Sequence, residues 1–95
     1  MRIRWTREAV KDLDEAVGYI AVEDRDTAKN IAIAIKAAAK SLAKLPNRGR
    51  PGFVEGTRDI LVPNLPYFFV FLVQNEHVEI LRLMHFSRKW PRLVQ

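Results

Sequence analysis

From Arg2 to Trp5 polar and apolar residues alternate, the period-two signature of a short strand that turns Ile3 and Trp5 inward. The period then changes. Ala9, Leu13, Ala16, Val17 and Ile20 recur at three- and four-residue steps, which predicts an amphipathic helix from Thr6 to about Val22. Thr6 is placed to cap it. Glu8 falls in the first turn, where a carboxylate meets the positive end of the helix dipole, and Trp5 and Val10 bracket the cap as a hydrophobic staple. Glu23-Asp24-Arg25-Asp26 interrupts the pattern, and Asp26 or Thr27 is expected to cap a second helix. There Ile31, Ile35, Ala38, Leu42 and Leu45 lie within about 80° of arc, while Lys29, Lys36, Lys40 and Lys44 fill a similar arc on the opposite side. Pro46 ends the helix, because it disfavours helical geometry at Leu45 and has no N–H to donate. A break of about four residues between the helices predicts an antiparallel hairpin.

The second half reads differently. Asn47 to Thr57 holds three of the four glycines and is expected to be an irregular connection. Arg58 to Val62 is a strand, closed by the turn Pro63-Asn64-Leu65-Pro66. Tyr67 to Val73 is almost unbroken apolar, so both its faces should be covered. Gln74-Asn75-Glu76 turns the chain, and His77 to about Phe86 returns as its hairpin partner. The order β-α-α-β-β-β predicts an α+β fold, with one helical hairpin on one sheet and a three-stranded antiparallel meander at its end. Trp5, Leu13, Val17, Ile20, Ile31, Ile35, Leu42, Ile60, Val62, Val70, Leu72, Ile80 and Leu83 are the expected core.

At 95 residues the chain, residues 1–95, is expected to hold a single domain. It has no cysteine, which excludes a disulfide framework, a thiolate metal site and cysteine catalysis. No apolar run is long enough to span a membrane, and the first residues lack the pattern of a secretory signal, so the expected location is the cytoplasm. Sixteen Lys and Arg against eleven Asp and Glu give a net charge of +5, which favours an acidic partner or a nucleic acid. The charge is polarised: Lys29, Lys36, Lys40, Lys44, Arg48 and Arg50 occupy a stretch with no acid, whereas Glu8, Asp12, Asp14, Glu15, Glu23, Asp24 and Asp26 cluster earlier. Ile33 falls among the lysines, where a solvated face has no use for an isoleucine. His77 and His85 are about 26 Å apart along a strand, so no metal site is expected. Arg48-Gly49-Arg50-Pro51-Gly52 lacks the lysine pattern of a nucleotide-binding loop, and no cofactor is expected.

Several runs in this order carry a resemblance. They are Trp5 with Ala9 and Leu13, Tyr19-Ile20-Ala21, and Leu45-Pro46-Asn47-Arg48-Gly49-Arg50. Gly56-Thr57-Arg58-Asp59-Ile60-Leu61-Val62 with Pro66-Tyr67 follows, then Val78-Glu79-Ile80-Leu81-Arg82-Leu83-Met84-His85, then Arg88 and Trp90-Pro91. Together they resemble the RelE/ParE superfamily of toxins from bacterial type II toxin–antitoxin pairs, and more closely its ParE branch. The resemblance implies a growth inhibitor held inactive by a cognate antitoxin. It allows two mechanisms: ParE-like poisoning of DNA gyrase, or RelE-like cleavage of mRNA on the ribosome.

Cleavage of RNA needs a group to take the 2′-hydroxyl proton, a group to protonate the leaving oxygen, and cations for the developing charge. His85, Arg58, Arg82 and Arg88 are the candidates that the nuclease resemblance implies. Many of the nucleases have an arginine where this chain has Phe68, and an aromatic acid where it has Phe86, and RelE itself is basic around Asp59-Ile60-Leu61. These departures favour ParE-like action. Arg82, Arg88, Lys89, Trp90 and Arg92 are then the expected target-binding residues, and Lys29, Ile33, Lys36, Lys40, Arg48 and Arg50 the expected antitoxin-facing ones. Arg82 and His85 are three apart, so a regular strand puts them on opposite faces.

Overall fold

The structure, a computed structural model, describes residues 1–87. Strand β1 (Arg2–Trp5) leads into helix α1 (Arg7–Ala21) and helix α2 (Arg25–Ser41), followed by β2 (Arg50–Pro51), β3 (Arg58–Leu61), β4 (Tyr67–Gln74) and β5 (His77–His85). The β-α-α-β-β-β order stands. What the pattern did not contain is the two-residue strand β2, which pairs antiparallel with Arg58 and Asp59 inside the supposedly irregular connection. Proline is tolerated there because β2 is an edge strand, and its missing N–H leaves no ladder position empty. The sheet order is β1-β5-β4-β3-β2, antiparallel except that β1 runs parallel to β5, with Arg2 opposite His77 and Trp5 opposite Ile80.

Thr6 caps α1 as expected, its Oγ1 accepting from the Ala9 N–H at 3.0 Å. The second cap lies earlier than Asp26 or Thr27. Asp24 takes the position, Oδ1 accepting from the Thr27 N–H at 3.0 Å and Oδ2 from the Thr27 hydroxyl at 2.8 Å. These bonds favour the charged form and hold the Asp24 carboxyl below its ordinary value. The rings of Trp5 and Phe69 meet edge-to-face with centroids 5.9 Å apart, and Val10 stays 44% exposed.

The core lies between the hairpin and one face of the sheet. Leu13, Ile35, Leu42, Val62, Ile80 and Leu83 are buried in it, with Trp5, Val17, Ile31 and Ile60 packed against it. In β4 the parity differs from expectation: Phe69 and Phe71 face the helices, Val70 is buried outside that cluster and Leu72 is only half-buried. Ile20 is likewise half-buried. Both parities of β4 are apolar, so alternation could not choose the inward face. A bulge settles β5: Val70 stands opposite Arg82 and Phe71 opposite Ile80, leaving Leu81 unpaired.

Candidate functional site

β1 ends at Trp5, opposite Ile80, so from Leu81 onward the outer edge of β5 has no strand beside it. Backbone groups on such an edge must find partners elsewhere. Thr6 and Asp12 supply them. The Thr6 N–H donates to the Ile80 carbonyl at 3.0 Å and its hydroxyl to the Leu81 carbonyl at 2.8 Å. Asp12, in the second turn of α1, accepts from the Leu83 N–H through Oδ2 at 3.0 Å. Oδ2 also accepts from Arg82 Nε at 2.7 Å, and Oδ1 from Nη2 at 2.9 Å. Helix α1 thus stands in for the missing strand, and Arg82 is clamped in the act. The bonds to Asp12 push the already high Arg82 pKa higher, against some desolvation, with help from the Asp12, Glu8 and Glu15 charges.

Beyond this clamp a groove of about 480 Å³ runs between α1 and the end of the β4–β5 hairpin, lined by Asp12, Glu15, Tyr19, Tyr67, His85 and Ser87 among others. His85 stands opposite Tyr67, their rings edge-to-face with centroids 5.2 Å apart. Its Nδ1 accepts from the Ser87 N–H at 3.0 Å and lies 2.8 Å from the Ser87 hydroxyl. Among the described residues the groove shares its lining with two carboxylates, Asp12, which is paired with Arg82, and Glu15.

The expected catalytic residues do not converge. The bulge at Leu81 precedes Arg82, so parity from Arg82 to His85 is unbroken and the two leave the strand on opposite faces. Arg58 is opposite Phe71, four residues up β4 from Tyr67, or about 14 Å away along the strand. Its Nη1 donates to the Asn47 carbonyl at 3.2 Å. Arg82 is committed to Asp12. Arg88, Lys89, Trp90 and Arg92 lie outside the described residues.

Lys29, Ile33, Lys36 and Lys40 share the exposed side of α2, where Ile33 is 57% exposed. Lys36 and Lys40 line a groove of about 490 Å³ together with Ile3, Trp5, Val10, Leu13 and one acid, Asp14. Arg48 sits at the helix's C-terminal end, its Nη1 donating to the Ser41 hydroxyl at 3.4 Å, whereas Arg50 is on β2 at the far edge of the sheet. Asp12, Glu15, Tyr19 and Tyr67, which line the His85 groove, are not among the expected site residues. The spacing of Glu8, Asp12, Glu15 and Tyr19 along one helix face was the available signal. Among the described residues no group of three or more His, Asp or Glu side chains is placed to hold a metal ion.

A helical hairpin on a mixed sheet, with its two edges of unequal length, recurs in solved structures. A solved chain described as the chromosomal ParDE TA system from P. aeruginosa superposes with a TM-score of 0.82 at 28% identity, covering 90% of this chain and 95% of that one. A Helicobacter pylori protein described as the conserved hypothetical protein HP0894 shares the fold alone, with a TM-score of 0.58 at 15% identity. In sequence the chain is 38% identical over 93 residues to "Putative toxin Y4kP" of Sinorhizobium fredii, covering 98% of this chain and 96% of the relative. It is 33% identical over 87 residues to Toxin RelE2 of Caulobacter vibrioides, covering 92% and 97%. The family description "ParE toxin of type II toxin-antitoxin system, parDE" matches residues 3–90. The chain belongs to this ParE toxin family.

Proposed function

We propose that this toxin arrests growth by binding and poisoning DNA gyrase in the cytoplasm, without catalysing a reaction of its own, and that a cognate antitoxin neutralises it. The observation that carries the reading is the dispersal of the nuclease candidates. In-line cleavage of RNA needs a base, an acid and cations within a few ångströms of one phosphate. Here the base candidate His85 sits among Asp12 and Glu15, Arg82 is held by Asp12, and Arg58 is bonded to Asn47 some strand positions away. Phe86, which follows His85, has no proton to give. The family match and the ParDE neighbour support the antitoxin half of the proposal. The lysine-flanked groove of α2 suits a segment with apolar anchors and carboxylates, since charge of the opposite sign speeds association while apolar burial holds it.

The test uses purified toxin and gyrase. Inhibition of supercoiling with accumulation of cleaved DNA is the expected result, along with induction of the DNA-damage response in cells. His85→Ala leaves growth arrest nearly intact on this reading. Ribosome-dependent mRNA cutting that His85→Ala abolishes would overturn it and establish the RelE-like alternative.

A further inference from the structure

Alternation along β4 and β5 sends Phe69, Phe71, Ile80 and Leu83 into the core beneath the helices and turns Phe68, Val70 and Met84 to the opposite face of the sheet. Both helices pack on the first face. Among the described residues no strand or helix lies over the second. Val70 is nevertheless 0% exposed and Met84 1% exposed within a single chain, and neither belongs to the core cluster. Their neighbours on the same face do not account for this. Asp59 and Arg82 stand on either side of Val70, and Phe68 beside Met84, one strand away. At that spacing they shield the flanks of a side chain and leave its tip open. Leu61 at the rim is 63% exposed, and Phe86, whose ring stacks on Phe68 with centroids 6.3 Å apart, is 54% exposed. The cover therefore belongs to this chain, lies over the centre of the face and stops short of the rim.

Residues 88–95, which follow the described chain, carry Trp90, Leu93 and Val94 as apolar groups. The chain turns at Phe86 and Ser87, just past the end of β5. His85 is opposite Tyr67, so Val70 lies three residues, about 10 Å, back along β4 and one strand, about 4.8 Å, across. Three to four residues of extended chain cover that distance, which brings Trp90 within reach of both Val70 and Met84. Pro91 disfavours helical geometry at Trp90 and so favours an extended approach. An indole also supplies the broad apolar surface needed to close over a valine and a methionine together. We propose that residues 88–95 fold back over this face of the sheet, with Trp90 seated on Val70 and Met84. Trp90 is then a positioning residue, which fastens Arg88, Lys89 and Arg92 beside the sheet for the target without touching the target itself. That last step rests on the gyrase reading, whereas the docking of the segment does not.

Tryptophan fluorescence of the purified full chain tests this. The chain has two tryptophans, so Trp5→Phe leaves Trp90 as the sole reporter. Its emission should be blue-shifted from that of a solvated indole, and acrylamide should quench it several-fold more slowly. Emission and quenching of a solvated indole overturn the proposal. Val70→Ser in the same chain should raise the quenching rate, and unchanged shielding in a folded Val70→Ser chain overturns the proposal, since the indole would then sit elsewhere. Trp90→Ala in the natural chain reads the same contact without disturbing the sheet. Exposing Val70 and Met84 should increase binding of an apolar dye several-fold and lower the urea midpoint, with Trp90→Phe recovering most of both. No change in either measurement overturns the proposal. Shielding of Trp90 that disappears on dilution, as a dimer dissociates in sedimentation, assigns the face to a second copy and overturns it too. Gyrase binding should weaken in Trp90→Ala and return in Trp90→Phe, and failure of the phenylalanine to restore it overturns the positioning role. A shielded Trp90 in a toxin without effect on gyrase supports the docked segment and sinks the gyrase reading alone.

Discussion

Replacing Asp12 by alanine removes the acceptor that closes the open edge of β5. The Leu83 N–H, in a buried residue, would lose its 3.0 Å bond to Asp12, and leaving such a donor unpaired costs about 1–3 kcal/mol. The Arg82 guanidinium would lose two charge-assisted bonds at 2.7 and 2.9 Å. Its side chain is 26% exposed against 9% for Asp12, so it can turn toward water, and its share is about 1 kcal/mol. The sum is about 2–4 kcal/mol, which for a chain of this length lowers Tm by on the order of 10–25 °C. Arg82→Ala should cost only about 1 kcal/mol, because Asp12 still accepts from Leu83, and Asp12→Asn should fall between the two. Urea unfolding of the three single variants and the Asp12→Ala, Arg82→Ala double variant measures these differences. Amide exchange at Leu83 reports the edge directly, and should accelerate in Asp12→Ala but not in Arg82→Ala. Equal costs for the two alanine variants, or a cost for Asp12→Ala below about 0.5 kcal/mol, would refute the view that the carboxylate replaces a strand.

Thr6→Ala removes both the cap to Ala9 and the bond to the Leu81 carbonyl, and should cost about 1–3 kcal/mol, with Thr6→Ser recovering most of it in the same unfolding assay. Burial pushes the Asp59 carboxyl above its ordinary value, Arg50 opposes this, and Oδ1 has no hydrogen-bond partner. Between the unfolded and the raised folded value the native state holds more protons, so Asp59 makes stability fall as pH rises through that window. Asp59→Asn should flatten this limb and raise the urea midpoint at neutral pH. Gly49→Ala should destabilise by about 1–3 kcal/mol, since it combines a positive φ with a Cβ against the Asp59 carbonyl, and circular dichroism melts check it. Arg58→Ala should leave growth arrest unchanged if gyrase is the target, as plating under induced expression would show.

Local patterns carried much of this protein. The change from period two to period 3.6 after Trp5, the cap at Thr6 and the apolar run from Tyr67 all translate into the observed elements, because each is set by residues within one or two turns, whereas α2 ends at Ser41, ahead of the stop expected at Pro46, and leaves Leu45 exposed. The placement of α2's lysines on the solvent side follows from the same arithmetic. Three matters were decided only when distant segments met. The inward parity of β4 depends on register with β5 and not on its own sequence, since Phe69, Val70 and Phe71 are all apolar. The parallel pairing of β1 with β5 joins residues more than 70 apart and stops at Trp5, and it is this stop that calls Asp12 and Arg82 together across the edge. The site followed the same rule: Arg58, Arg82 and His85 looked like a set along the chain, yet register and parity send them to different strands and faces. Chain spacing fixes periodicity within an element, whereas the meeting of side chains depends on long-range pairing whose free energy is shared over the whole sheet.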